Sequence, residues 1–392
     1  MNLLRIPLSY TWRSLWTRKT TTILTLGGVA LVVFVFAAVL MLSNGLEQTL
    51  VESGDENNVI ILRRAATSEL VSQIDRETAN IIKSHSEIAV LPSGKPVASA
   101  EVYTVINLIK KESQDMGNVS VRGVSPEAFA LRPAVAIRNG RQFHFGTDEI
   151  IIGSNIAEKF EGCEIGNKLK LGDNYWTIVG HFEADNSSFE SEIWGDADQL
   201  MPAFGRPVYS TLTFRLTDLS QFAAIKEKIE KDPRTQYTQV KGEQDYYREQ
   251  SKLMSDFIKV LGLIVTIIFS VGAVIGAMIT MYASVANRTV EIGTLRSLGF
   301  LRRSILAAFF IESVLLSLIG GVAGIVLASI MSFVKISTVN WGTFSELAFG
   351  FQLSLPIMVG SLLFSLAMGF VGGFLPAVRA ARLKITAALR AS

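Results

Sequence analysis

The chain has 392 residues, of which 49% are hydrophobic and only 18% are charged, and its mean hydropathy is +0.36. These values exclude an ordinary soluble protein and indicate a membrane protein with a soluble part. The formal charge of +2 is small, and because the basic residues gather at the edges of apolar runs, we expect no nucleic acid partner. The single cysteine, Cys163, leaves no internal disulfide.

Residues 1–22 carry basic side chains and no acid among leucines and tryptophans, which predicts a cytosolic or interfacial amphipathic segment. The uncharged run at residues 23–44 is long enough for the first transmembrane helix. Since basic flanks stay in the cytosol, the chain should emerge from this span on the outer side. A cleaved signal peptide is the alternative, but its apolar core usually has only about 7 to 15 residues, and no convincing cleavage site precedes Ser43.

Residues 45–252 have the charges, turn residues and alternating apolar positions of a globular domain, which should lie outside the cytosol. The alternation predicts strands at residues 58–62, 100–109 and 119–124. Apolar residues at helical spacing predict a helix at residues 68–83.

The order of these elements predicts two subdomains. An α+β subdomain at residues 55–124 is completed by residues 207–242, and a β-rich subdomain at residues 125–206 is inserted into it.

The inserted part contains the acidic stretch E-A-D-N-S-S-F-E-S-E, which includes Asp185, Asn186, Glu190 and Glu192. Such oxygen-bearing side chains bind cations, but the D-x-D-x-D-G spacing of a calcium loop is absent. The stretch therefore predicts a solvated loop, and we expect no metal site.

One long helix is predicted from residue 243 through the second span at residues 253–285, because residues 243–286 contain no proline. At 1.5 Å per residue such a helix is about 66 Å long, against about 30 Å of membrane hydrocarbon. The excess length indicates a stiff stalk between the globular domain and the membrane. A kink near Ser255 is the alternative.

The loop at residues 286–304, A-N-R-T-V-E-I-G-T-L-R-S-L-G-F-L-R-R-S, carries four arginines and one acid. This charge predicts a cytosolic position. Its apolar spacing predicts a short helix, with Gly299 as a left-handed C-cap. From the residues alone, the loop either only fixes the topology or receives movement from a soluble partner.

The third span, residues 305–334, contains the acid Glu312. An isolated charge in lipid is costly, so Glu312 should be protonated, lie near water, or face a partner such as Arg302, Arg303 or a serine of another span. Three spans carry G-x-x-x-G pairs, which predict close helix packing: Gly272 and Gly276, Gly320 and Gly324, Gly369 and Gly373.

Residues 335–352 predict a nearly uncharged outer loop, and residues 353–375 predict the fourth span, ended by Pro376. The basic tail at residues 376–392 should then be cytosolic, as the N-terminus is. The fold class is thus a membrane protein of four transmembrane α-helices with a large extracytoplasmic α+β domain between the first two.

Residues for common enzyme chemistry are absent from the sequence. The S-G-K-P at residues 93–96 lacks the spacing of a phosphate-binding P-loop, and neither H-E-x-x-H, a zinc cluster nor G-x-S-x-G occurs. We therefore expect that the chain is not an enzyme by itself and binds no cofactor.

The segment R-T-V-E-I-G-T-L-R-S-L-G-F-L-R-R-S-I-L-A-A-F-F-I-E-S resembles the signature of MacB/FtsX-type (type VII) ABC transporter permeases. The resemblance continues through L-I-G-G-V-A-G and L-P-A-V-R-A-A-R-L-K-I-T-A-A-L-R, and D-E-I-I-I-G-S-N-I-A-E-K-F resembles the MacB periplasmic core. It implies that the short cytosolic helix is a coupling helix, with these contact positions for an ATPase: Glu291, Ile292, Gly293, Leu295, Arg296 and Gly299.

The resemblance also implies a permease subunit in the bacterial inner membrane, dimerised with a second copy of itself and paired with two copies of a separate ATPase subunit that binds ATP and magnesium. MacB proteins carry a fused ATPase, and this sequence shows none. In the MacB branch, mechanical movement of the periplasmic domain drives efflux or export, with a membrane-fusion adaptor and an outer-membrane exit duct. Two alternatives stay open, namely an FtsX-like regulator of a periplasmic hydrolase or sensor and a Lol-like permease that extracts lipoproteins.

Overall fold

The computed structural model describes residues 19–385, so most of the predicted N-terminal segment and the end of the basic tail lie outside the described residues. The described chain divides into two compact units. The globular unit comprises residues 45–255 and 335–349, and the membrane unit comprises residues 19–44, 256–334 and 350–385.

In chain order, the described helices are α1 (Lys19–Val51), α2 (Arg76–Lys83), α3 (Ala128–Leu131), α4 (Ser154–Lys159), α5 (Ala197–Ala203), α6 (Phe222–Lys231), α7 (Glu243–Asn287), α8 (Thr289–Ser297), α9 (Arg302–Ile330) and α10 (Leu355–Arg382). The strands are β1 (Asn58–Arg63), β2 (Ala98–Ile109), β3 (Met116–Val124), β4 (Ala136–Gly140), β5 (Glu149–Gly153), β6 (Lys168–Leu171), β7 (Asn174–Glu183), β8 (Glu192–Asp196), β9 (Thr211–Arg215), β10 (Thr238–Gly242), β11 (Lys335–Val339) and β12 (Glu346–Gly350).

Four helices of the described chain are long and apolar enough to cross a membrane: α1, α7, α9 and α10. They correspond to the four predicted spans. The second of them, α7, is one helix of 45 residues, which at 1.5 Å per residue is about 68 Å long. The helix begins at Glu243 in the globular unit and ends at Asn287 in the membrane unit, as the absence of proline predicts.

One ten-stranded sheet forms the frame of the globular unit, in the order β10-β1-β9-β2-β3-β8-β5-β7-β4, with β6 paired to β7. Two apolar cores lie along it. The division between them falls inside β2, because Ala100 belongs to one core and Val102 to the other. The long strand β2 pairs with β9 at its start and with β3 over the rest. The expected subdomain boundary at residues 124 and 125 is therefore displaced toward the N-terminus, and β3 belongs to the second core.

The helix expected at residues 68–83 is shorter than predicted. It begins only at Arg76, where the Asp75 carboxylate caps it by accepting a 2.7 Å hydrogen bond from the Thr78 amide. Upstream, the Glu69 side chain is buried in the domain interior and binds Arg122, which fixes this segment as an irregular loop.

The acidic stretch at residues 183–192 is solvated only in part, because Asp185 and Asn186 are exposed whereas Glu190 and Glu192 are buried. The prediction of a solvated loop is wrong for these two glutamates. The Glu190 carboxylate accepts hydrogen bonds from the amides of Ala184 and Asn186 at 3.0 and 2.8 Å. Glu192 binds the Arg122 guanidinium at 2.8 Å. Internal partners, which have no local sequence signal, draw these acids inward.

The outer loop expected at residues 335–352 is a hairpin of β11 and β12. Its residues 335–349 belong to the globular unit. The Asn118 side-chain amide donates a 2.7 Å hydrogen bond to the Phe344 carbonyl, Lys110 pairs with Glu346, and the Ala348 amide donates to Ser191 Oγ at 3.3 Å. These polar contacts attach the hairpin to the rest of the globular unit.

Pro376 does not end the fourth span, because α10 continues through it to Arg382. Proline inside a helix costs about 3 kcal/mol through its missing amide and its clash with the preceding turn. The extra turns bury Ala377 and Ala380 completely among residues of α7, α8 and α9. This burial offsets the cost of the proline.

Two of the three G-x-x-x-G pairs pack inside the chain as predicted. Gly320 and Gly324 of α9 lie against α1, where a Cβ added to Gly324 would come within 2.6 Å of the Ala30 carbonyl oxygen. Gly369 and Gly373 of α10 lie against serines of α9. A larger residue at these positions would separate the helices.

The third pair, Gly272 and Gly276 of α7, is exposed instead. Within the described chain, no heavy atom lies within 4 Å of a Cβ added at either position. The prediction of close packing at this pair is therefore wrong for a single chain.

Candidate coupling site

The short helix α8 lies between the second and third membrane helices and is fixed at both ends. Arg288 precedes its first residue, Thr289. At the other end, Gly299 has φ +98°, the Gly299 amide donates to the Arg296 carbonyl and the Phe300 amide donates to the Leu295 carbonyl, both at 3.2 Å. This is a Schellman C-cap, so the predicted left-handed glycine is confirmed.

Arg288 is the centre of an ion cluster at the start of this helix. Its Nη1 donates to Glu312 Oε2 at 3.0 Å, and its Nε donates to Glu291 Oε2 at 3.0 Å. The guanidinium lies 4.8 Å from the centre of the Phe309 ring, at a distance suited to a cation–π contact. We call Arg288, Glu291 and Glu312 the Arg288 cluster.

The partner of Glu312 is thus Arg288 and not Arg302 or Arg303. Both side chains of the pair are only 7% exposed, so removing Arg288 would leave the Glu312 charge buried without this cation, which typically costs about 3 to 5 kcal/mol. The pair joins the start of α8 to the interior of α9. Sequence reasoning missed Arg288 because it and Glu312 are 24 positions apart and no local spacing relates them.

Glu291 takes part in the same cluster but is partly open to solvent, with 43% of its side chain exposed. Partial burial, together with the neighbouring Glu312 carboxylate, raises the pKa of Glu291 above its ordinary value. The Arg288 cluster therefore consists of one buried ion pair, Arg288–Glu312, and one partly exposed carboxylate, Glu291, on the short helix.

Two of the six residues assigned to ATPase contact, Ile292 and Gly293, are buried within this chain. Ile292 is 2% exposed and packs in an apolar cluster with Met281, Ile305 and Ala380. Its assignment as a contact position is wrong for this conformation, because it holds α8 against the ends of the membrane helices. The apolar spacing predicted the helix correctly but did not show which apolar residues turn inward.

The other four assigned residues differ in exposure. Glu291 and Gly299 are exposed, whereas Leu295 and Arg296 are half-buried. Two buried guanidinium nitrogens of Arg296, Nε and Nη1, have no hydrogen-bond partner among residues 19–385.

The accessible surface of α8 and its C-cap residue, Leu298, also includes two apolar side chains. Val290 is 42% exposed and Leu298 is 65% exposed. Exposed apolar side chains on a helix that is held in place by its own chain are features that a docking surface requires. Within the described residues, no group of three or more acidic, histidine or cysteine side chains is arranged to hold a metal ion.

Two family models match the chain. The model for the MacB-like periplasmic core domain matches residues 22–232. The model for the FtsX-like permease C-terminal region matches residues 263–385.

Curated relatives agree with these matches. The chain is 26% identical over 400 residues to the uncharacterized ABC transporter permease YknZ of Bacillus subtilis, covering 96% of each chain. It is 25% identical over 397 residues to the macrolide export ATP-binding/permease protein MacB of Neisseria meningitidis serogroup A, covering 93% of this chain and 58% of that protein. The chain thus spans little more than half the length of this MacB relative.

Solved structures give a weaker likeness. The extracellular domain of YknZ from Gram-positive bacteria is 15% identical, covering 47% of this chain and 100% of that domain with a TM-score of 0.35. Since the family model of the core domain alone matches more than half of the sequence, and a permease model matches most of the remainder, the chain belongs to the MacB/FtsX-type family of ABC transporter permeases.

Proposed function

We propose that this chain is the permease subunit of an ABC transporter in which a separate ATPase subunit binds and hydrolyses ATP with magnesium and moves the α8 helix. The movement reaches the globular unit and drives export of a substrate. Two ATPase copies and two copies of this chain form the transporter. A membrane-fusion adaptor and an outer-membrane exit duct complete the path.

The observation that carries the proposal is the setting of α8. Ile292 and the Arg288–Glu312 pair attach it to the second, third and fourth membrane helices, while Val290, Leu298 and Glu291 remain accessible. A push on the accessible residues therefore acts on a helix that is locked to three spans, because packed interiors transmit strain rather than absorb it.

The orientation in the membrane follows from charge. Exposed Arg302 and Arg303 follow α8, and Arg379, Arg382 and Lys384 lie at the end of α10. Basic residues near span ends favour the cytosol, which supports an inner-membrane protein with cytosolic termini and a periplasmic globular unit.

The test is substitution of Leu298, the most exposed apolar side chain of this segment, by aspartate. Leu298→Asp leaves the Arg288 cluster and the Ile292 contacts unchanged, whereas changing Glu291 or Ile292 would also disturb the chain's own packing. Tagged protein is purified from its native membrane, the co-purifying ATPase is identified by mass spectrometry, and ATP hydrolysis is measured. Burial of an apolar anchor at an interface is typically worth about 2 kcal/mol or more. We therefore expect the variant to bind the ATPase about thirtyfold more weakly.

Leu219→Asp serves as the matched control, since Leu219 is 48% exposed on the globular unit. It should retain the ATPase and its hydrolysis. Full ATPase retention by Leu298→Asp, in protein that inserts and folds normally, would refute α8 as the docking helix.

A further inference from the structure

The first residue of α7, Glu243, is anchored deep in the globular unit. Its side chain is fully buried, although helix ends are usually solvated. The carboxylate accepts hydrogen bonds from the Asn58 side chain at 2.8 Å, the Asp55 amide at 3.1 Å and Arg132 Nη2 at 3.2 Å. The start of the 45-residue helix is thus held by two separate segments, residues 55–58 and Arg132.

The segment that leaves α1 passes directly against this first turn at Gly54. A Cβ added to Gly54 would lie 2.8 Å from the Gln244 nitrogen and 2.9 Å from the Glu243 carbonyl carbon. The Gln244 side chain donates a 3.2 Å hydrogen bond to the Gly54 carbonyl. Because both close contacts are to backbone atoms, the segment at residue 54 and the first turn of α7 can touch here only if residue 54 has no side chain.

The anchor continues into the sheet through a buried ion cluster: Arg122, Arg132, Glu69, Glu101, Glu192 and Glu243, which we call the Arg122–Arg132 cluster. Arg132 joins Glu243 to Glu101 of β2, and Arg122 joins Glu101 to Glu192 of β8. The connection therefore runs from the start of α7 across strands of both apolar cores.

The charges of the cluster show that Glu243 is not needed for neutrality. Four carboxylates face two guanidiniums, a surplus of two negative charges. Burial raises the pKa of Glu243, and this outweighs the attraction of Arg132. Removing its charge reduces the surplus to one, so the sheet should tolerate the loss while the helix loses its anchor.

We propose that Gly54 and Glu243, together the clamp, are positioning residues that hold the ends of α1 and α7 to each other and to the sheet, so that movement of these helices is delivered to the globular unit. This inference rests on the proposed function, since the movement originates at the ATPase. The movement is passed to the globular unit through the contacts of Gly54 and Glu243 with α1, α7 and the sheet.

The experiment measures hydrogen exchange by mass spectrometry on the full chain in complex with its co-purified ATPase, with and without ATP. Gly54→Ala drives a Cβ into the backbone of the first turn, and Glu243→Ala removes the carboxylate anchor. Asp245→Ala is the matched control, because Asp245 lies in the same first turn and is 68% exposed in its pair with Arg248. ATP hydrolysis and the thermal midpoint are recorded for each protein.

We expect the wild type and Asp245→Ala to show ATP-dependent changes of exchange both in α8 and in the globular unit. The two clamp variants should keep the change in α8 and the hydrolysis of ATP, but lose the change in the globular unit. Glu243→Gln, which retains an oxygen that can accept from Asn58 or Asp55, should recover part of it.

Three outcomes contradict the clamp in different ways. A wild type without any ATP-dependent change in the globular unit refutes the proposed function itself. A wild-type change in both clamp variants refutes only the clamp. Faster exchange throughout the globular unit without ATP, together with a lower thermal midpoint in Glu243→Ala and Glu243→Gln alike, would show that these contacts serve stability alone.

Discussion

The two ends of α7 lie in buried arginine–glutamate clusters of the same proportion but of different rigidity. At the start of the helix, four carboxylates share two guanidiniums, and every side chain of the Arg122–Arg132 cluster is 6% exposed or less. Just beyond its other end, two carboxylates share Arg288, and one of them, Glu291, is 43% exposed. The two clusters therefore have the same ratio of carboxylates to guanidiniums, but they differ in burial and in the number of strands that hold them.

The difference has a physical basis in the supporting structure. Arg122 lies on β3 and donates five hydrogen bonds to three carboxylates, two of which belong to neighbouring strands of the sheet. Glu291 lies on a nine-residue helix whose contacts are mostly apolar. A sheet fixes many backbone positions at once, whereas α8 is attached through fewer positions, and the partly exposed Glu291 is free to change its contacts.

The largest effect should come from Arg122→Leu in the Arg122–Arg132 cluster. The change leaves Glu69 and Glu192 buried without their cation, at a cost of about 3 to 5 kcal/mol. We expect the globular unit to unfold at a much lower denaturant concentration, measured by the fluorescence of the buried Trp176 and Trp194. Arg138→Leu is the control, because its pair with Glu183 is 55% and 48% exposed and such pairs contribute about 0 to 1 kcal/mol. Equal denaturation midpoints for the two variants would contradict a stabilising role of the Arg122–Arg132 cluster.

A smaller effect on stability is expected from Glu312→Leu in the Arg288 cluster, because Arg288 keeps Glu291 as a neighbour. Glu312→Gln should be milder than Glu312→Leu, since the amide still accepts a hydrogen bond from Arg288. In a double-mutant cycle with Arg288→Leu, the thermal stability of the purified chain should give a coupling energy of about 1 to 3 kcal/mol. Strict additivity would show that Glu312 and Arg288 act independently.

The smallest effect concerns pH and Glu243. Since burial raises the pKa of this carboxyl group, the folded protein holds the proton more tightly than the unfolded chain does. The wild type therefore loses stability as pH rises from the ordinary pKa through the raised folded value, whereas Glu243→Gln does not titrate. The thermal midpoint of the variant relative to wild type should rise as the pH increases above about 4.5. A constant difference above that pH would contradict a raised pKa.

The sequence predicted those features that depend on a run of neighbouring residues. The four membrane helices, the uninterrupted α7 and the left-handed Gly299 all follow from local apolarity, the absence of proline or backbone freedom. The family resemblance rests on a similarly contiguous segment.

Features that depend on distant partners were not predictable in the same way. The Arg288–Glu312 pair, the inward turn of Ile292 and the burial of Glu190 each result from contacts across the fold. The continuation of α10 past Pro376 depends likewise on burial of the alanines that follow. Local rules assign costs to these residues but do not show the tertiary contacts that offset them.

The hairpin of β11 and β12 has a consequence for biogenesis. Its residues complete the globular unit, yet about 80 residues, including two membrane helices, separate them from the preceding residues of that unit. The globular unit therefore cannot reach its final structure during synthesis until the third membrane helix has been inserted and the chain after it has been exported. A fragment ending at residue 255 would lack the partners that Asn118, Lys110 and Ser191 find in the hairpin, and it would expose this polar surface to water.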